Sequence, residues 1–153
     1  MTLIELLVAM TIFTVVILIV LGLFSTGISG QRKVIALQKV QENARFLLEF
    51  ITKEIRMSTI TAYTPSSLSI IRSDGVTTVD YTFTGQNIER SGDPINSDDI
   101  LITGSFYASG LGTGDGLQPR ITIIINAQGR GSKVEENAKI NLQTTLSQRT
   151  LEI

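Results

Sequence analysis

One carboxylate stands out for the chemistry it invites. Within "MTLIELLVAMTIFTVVILIVLGLF" (1–24), Glu5 is the only charged side chain, and the next along the chain is Arg32. A lone acid at bilayer depth costs about 2.5–3.5 kcal/mol at a helix centre and less near an end. A cation held at the same depth offsets much of that cost. The flanking sequence supplies none, so Glu5 calls for a partner from elsewhere. The plainer alternative is a side chain that only reaches for the interface.

Other residues carry weaker chemistry. Asp98, Asp99 and Asp115 offer hard oxygen donors of the kind Ca²⁺ takes; solvated turn acids are the simpler reading. "SGLGTGDGLQP" is not a phosphate loop, because Asp115 stands where a third glycine is needed and no Lys-Ser/Thr follows. The chain has no Cys and no His. That removes thiolate and disulfide chemistry, the usual general base and the commonest metal ligand. No nucleophile–base arrangement can be read. An enzyme, a cofactor and a resident metal are therefore not expected. With a net charge of −1 and no basic patch, nucleic-acid binding is not expected either.

The element that must position Glu5 is an apolar helix. Residues 6–24 are broken only by Thr11, Thr14 and Gly22, and about 20 apolar residues cross a hydrocarbon core. A secretory signal would need a basic n-region and a shorter apolar run. Arg32 and Lys33 flank the far side of the span, so the charge bias alone would hold the C-terminal part in the cytoplasm. Removal of a basic leader would reverse that, which makes Met1 an expected product of processing.

The helical pattern continues beyond the span. Val34, Leu37, Val40, Ala44, Leu47 or Leu48, Ile51 and Ile55 fall on one face, with Lys39, Glu42, Arg45, Glu49, Lys53 and Arg56 opposite. Arg45–Glu49 and Glu49–Lys53 are spaced to form ion pairs. The helix is expected to end near Ser58–Thr61. Gly22, Gly27 and Gly30 each cost about 1 kcal/mol of helix propensity, which predicts a kink, a melted stretch or a loose turn there.

After Pro65 the period changes to two. Candidate strands are Leu68–Arg72, Val76–Phe83, Asn87–Arg90, Ile100–Tyr107, Arg120–Asn126 and Ile140–Leu151, with hairpin turns at 73–75 and 84–87. The expected fold is α+β: a long N-terminal helix packed on a small C-terminal antiparallel sheet. Its parts are an apolar membrane or filament-core helix (1–30), an amphipathic helix on the sheet (31–60), and a sheet domain (61–153) with a Gly-rich loop (109–118).

This arrangement, and above all Thr2-Leu3-Ile4-Glu5-Leu6-Leu7, resembles the type IV pilin superfamily, which includes major pilins, minor pilins and type II secretion pseudopilins. "YTFTGQNIER" and "INLQTTLSQRT" are similar, more weakly, to sheet segments of its larger members. The resemblance implies cleavage by a prepilin peptidase before Met1, N-methylation of Met1, and an assembly site of Met1, Thr2 and Glu5. In it, Glu5 pairs with the N-terminal amine of a neighbouring subunit. It implies a homo-oligomeric helical filament held through N-terminal helices, stored in the inner membrane as a single-pass precursor and displayed outside the cell by the pilus assembly machinery. A minor pilin or pseudopilin at a filament tip is the alternative within the family, and a membrane-anchored surface binding domain is the alternative outside it. Three departures stand: Met1 replaces the usual Phe, Gly22 replaces a common Pro, and no disulfide closes the C-terminal region.

Overall fold

The computed structural model describes residues 2–111, 118–131 and 137–148. Met1, residues 112–117 of the Gly-rich loop with Asp115, and the end of the last expected strand lie outside them.

The chain has the α+β fold. One helix, α1 (Leu3–Arg56), precedes eight strands. They are β1 (Ser58–Tyr63), β2 (Ser67–Arg72), β3 (Thr78–Thr84), β4 (Asn87–Arg90), β5 (Asp93–Pro94), β6 (Ile100–Ser109), β7 (Arg120–Gly129) and β8 (Lys139–Ser147). Where the sequence pattern suggests one sheet, the strands form two antiparallel sheets. The first runs β1-β2-β3-β4-β5 and the second β6-β7-β8. Isolated backbone bonds tie them: Ile102 N–H donates to Gln86 O (2.8 Å) and Phe106 N–H to Pro65 O (2.9 Å). The buried Gln148 joins them again, its Oε1 accepting from Ile60 N–H at 3.2 Å.

Helix α1 has two halves with different surroundings. Val40, Ala44, Leu47, Ile51 and Ile55 are buried, in steps of three and four, against the sheets. Four inward residues of β7 (Ile121, Ile123, Ile125 and Ala127) join that core. Val34 and Leu37, on the same sequence pattern, are exposed because the head domain begins only at Val40. The pairs Arg45–Glu49 and Glu49–Lys53 do not close into salt bridges; the two salt bridges among the described residues are made by Glu54. On a solvated face such pairs contribute little and lose side-chain entropy on closing.

Neither the melted stretch nor the loose turn expected at Gly22, Gly27 and Gly30 occurs in this single chain: the helix runs through all three. The glycine cost is small beside the several backbone bonds a break would lose. Thr26 Oγ1 also donates to Gly22 O at 3.0 Å. The helix ends at Arg56, slightly earlier than the sequence suggests, because β1 starts at once.

Phe83 and Phe106 pack between the sheets with ring centroids 4.8 Å apart. Gly104 makes room for them: a Cβ there would lie 2.6 Å from the Phe83 ring and 2.2 Å from Ile124 O. Both expected hairpin turns form. Gly85, at φ 61°, and Gln86 close β3 to β4. Asp74 closes β2 to β3, its carboxylate accepting from Val76 N–H, Thr77 N–H and the Thr77 hydroxyl.

Candidate functional site

The candidate site is the free half of α1. From Leu3 to Phe24 its large apolar side chains are 40–84% exposed, and the helix is long and apolar enough to cross a membrane, with none of that window buried in the chain. Its hydroxyls are satisfied locally. Thr11 donates to Val8 O and Thr14 to Met10 O, both at 2.8 Å, so neither brings an unpaired donor into hydrocarbon.

Glu5 has a partner that reading it as an isolated charge overlooks. Thr2 is the N-cap and Glu5 the third helical residue. The Glu5 carboxylate accepts from Thr2 N–H at 2.7 Å. This is half of a capping box, and Thr-x-x-Glu before an apolar run is its sequence signature. The N-terminal end of the helix dipole adds to the attraction. One N–H occupies one of roughly four lone-pair sites on a carboxylate, so Glu5 keeps capacity for a second donor. Thr2 and Glu5 thus lie together; Met1, the third residue of the expected assembly site, is outside the described residues.

Gly22, Gly27 and Gly30 touch nothing: a Cβ on any of them would meet open space. The subunit's own packing does not require glycine at these positions. Asp98 and Asp99 sit in the exposed turn before β6, and no cluster of metal-ligating residues occurs among the described residues.

A second exposed feature continues up the helix. Phe46 and Phe50 stack with ring centroids 6.0 Å apart. They are 59% and 39% exposed, and Met57 is 60% exposed. Phe46 lies about 140° round the helix from buried Ile51, at 100° per residue. Phe46 therefore faces away from the sheets, while Phe50 and Met57 sit at the flank of the helix, lining a groove with Arg72 and Asp74.

The docked half carries its own carboxylate, Glu54, which the polar-face pattern leaves out. Arg90 of β4 grips it in a two-pronged contact, Nη2 to Oε1 at 2.7 Å and Nε to Oε2 at 3.0 Å. Arg72 Nε donates to Oε1 at 2.9 Å, and the Tyr81 hydroxyl donates to Oε2. The bonds from Arg90 hold Glu54 down at about 2; burial first, and then the adjacent carboxylate, push the Tyr81 hydroxyl up. The signal in the sequence is positional: Glu54 adjoins Ile55 at the edge of the apolar stripe, where a solvated charge would be wasted. Its partners come from three strands and cannot be paired by spacing.

No family profile, curated protein or solved structure matches the chain.

Proposed function

We propose that the chain is a structural subunit of a type IV pilus-like filament, assembled by packing its N-terminal helices. The observation that carries this reading is an apolar surface that lipid alone cannot cover. Residues 3–28 span about 39 Å at 1.5 Å per residue, more than the ~30 Å hydrocarbon core. Phe46 lies 18 residues beyond Ile28, about 27 Å further along. A bilayer explains the lower stretch but does not reach the aromatic pair, which a neighbouring subunit would cover. A lone anchored binding domain gives it nothing to do.

The assembly chemistry follows from Glu5. In a membrane the Thr2 N–H and the helix dipole support the carboxylate, but no cation among the described residues neutralises it. The family resemblance assigns that cation to the α-amine at Met1 of a neighbour. A neighbour shifted by about one turn brings amine and carboxylate together while the apolar faces exchange lipid for protein. The charge fixes the register, and dispersion along the helices supplies the adhesion. Gly22, Gly27 and Gly30 suit close helix approach or local unwinding in that setting.

The test is electron microscopy of material sheared from cells that express the chain. Uniform thin fibres containing it, lost in Glu5→Gln, are expected. Fibres at unchanged number with Glu5→Gln would remove the docking role. A chain that stays monomeric in membranes, with no helix–helix cross-links, would remove the filament reading.

A further inference from the structure

The base of the head domain carries a groove of about 290 Å³ where α1 leaves the sheets. Its apolar floor includes Ile35, Val40 and Ile100. Arg32 and Lys39 line it from the helix, seven residues apart and therefore on one face, and Arg130 lines it from the end of β7. Asp99 is the one acid in the lining among the described residues; its backbone carbonyl accepts from Arg130 N–H at 2.7 Å. Among the described residues none of the three cations is in a salt bridge, and neither is Asp99. The described lining thus carries a surplus of two positive charges above an apolar floor.

Its height along the helix decides what it meets. Arg32 is one turn past Ile28, about 6 Å along the axis, and Lys39 stands above it, about 17 Å along. Headgroup layers are about 5–8 Å thick on each side of the hydrocarbon. An apolar stretch longer than the hydrocarbon is accommodated in part by tilting, and tilt lowers one side of the head towards the lipid. In the orientation proposed above, Arg32 and Lys33 stand on the translocated side, where basic residues are not favoured. A ligand for them on that side would account for their presence.

We propose that this groove binds the headgroup of an anionic phospholipid while the subunit is held in the membrane. The phosphodiester lies beside Arg32, within reach of the Lys39 and Arg130 side chains, and the glycerol end of the chains points to the bilayer. Arg presents a planar fork to phosphate and Lys a mobile point charge. Binding seats the head against the bilayer, and extraction into an assembly must release the lipid. This inference rests on the membrane-stored subunit proposed above, but not on filament formation.

The test uses the full chain in vesicles of phosphatidylcholine with a minority of phosphatidylglycerol. Spin-labelled versions of each lipid report which is immobilised by the protein. The labelled phosphatidylglycerol is expected to be held in preference, with the preference falling as salt rises. The triple variant Arg32→Gln, Lys39→Gln, Arg130→Gln should lose at least about fivefold of it, the effect of one basic residue near an anionic surface. Lys33→Gln, beside the groove but not lining it, should keep most of the preference. Equal immobilisation of both lipids, no response to salt, or an equal loss in Lys33→Gln would overturn the groove. Extraction of the chain by alkaline carbonate would overturn the membrane reading as well; insertion without selectivity would overturn the groove alone.

Discussion

The two halves of α1 each carry one carboxylate in an apolar setting, and the two are treated differently. Glu54, in the docked half, receives donors from Arg72, Tyr81 and Arg90, so the chain satisfies it completely. Glu5, in the free half, receives one N–H from Thr2. The first arrangement closes a fold; the second leaves acceptor sites open for another molecule. The apolar residues divide in the same way. Val40, Ala44, Leu47, Ile51 and Ile55 are covered by the chain's own sheets, while Leu3 to Phe24 are covered by nothing among the described residues. One continuous helix therefore belongs to two structures, the subunit and whatever surrounds it.

Breaking the closed half should give the largest effect. Glu54→Ala removes the counter-charge of two arginines and strands the buried Tyr81 hydroxyl. Arg72 and Arg90 keep 50% and 27% of their side-chain exposure, so water partly compensates them. The expected loss of head-domain stability is about 3–4 kcal/mol, a fall of more than about 10 °C in Tm for a domain of this size. Thermal melts of the full chain in detergent, followed by near-ultraviolet circular dichroism, measure it. A loss below about 1 kcal/mol would mean that Glu54 does not clamp helix to sheet.

Acid should weaken the same contact in the wild-type chain. Glu54 is depressed from 4.5 to about 2. A depressed carboxylate stabilises the fold fully above its unfolded value and loses that contribution as pH falls towards its folded value. The window is thus pH 4.5 down to 2, and the loss is about 3 kcal/mol. Glu54→Gln should flatten that part of the stability curve. A wild-type curve with no slope in that window would contradict the assignment.

Gly104→Ala comes next. A methyl there meets the Ile124 carbonyl and the Phe83 ring, and neither β7 nor the aromatic pair can shift freely. Overpacking of this kind costs about 1–3 kcal/mol. Urea titration should give a lower midpoint with an unchanged slope. Wild-type stability would show that the sheets slide past each other.

How far the sequence announces this design depends on the range of the interaction. The stripe Val40, Ala44, Leu47, Ile51 and Ile55 is a local period and is plainly readable, as is the Gly85-Gln86 hairpin. Thr2-x-x-Glu5 is equally local, yet the apolar context draws the eye to the charge and away from the cap. Glu54 is another matter. Its partners lie 18, 27 and 36 residues away, and long-range pairing has no period. The division into two sheets is hidden for the same reason: alternation shows that a strand has an inner face, not which sheet it joins. The uninterrupted helix through Gly22, Gly27 and Gly30 reflects a competition. Propensity disfavours each glycine by about 1 kcal/mol, and the cooperativity of a long helix outweighs it within a single chain.

The smallest effect on the fold is the most informative about the open half. Phe46→Ser with Phe50→Ser alters two partly exposed side chains outside the buried core that stack on each other. The head should change in stability by no more than about 0.5 kcal/mol, as surface substitutions usually do. In the proposed filament the same pair is buried against a neighbour, where truncating an aromatic side chain costs about 3–5 kcal/mol. Fibre number should therefore fall by more than tenfold while Tm stays put. Glu54→Ala should fail at both, because its head is damaged first. A double variant that loses head stability would place the aromatic pair with the closed half of the helix. One that retains both stability and fibres would leave the exposed stripe without a neighbour and weaken the case for assembly.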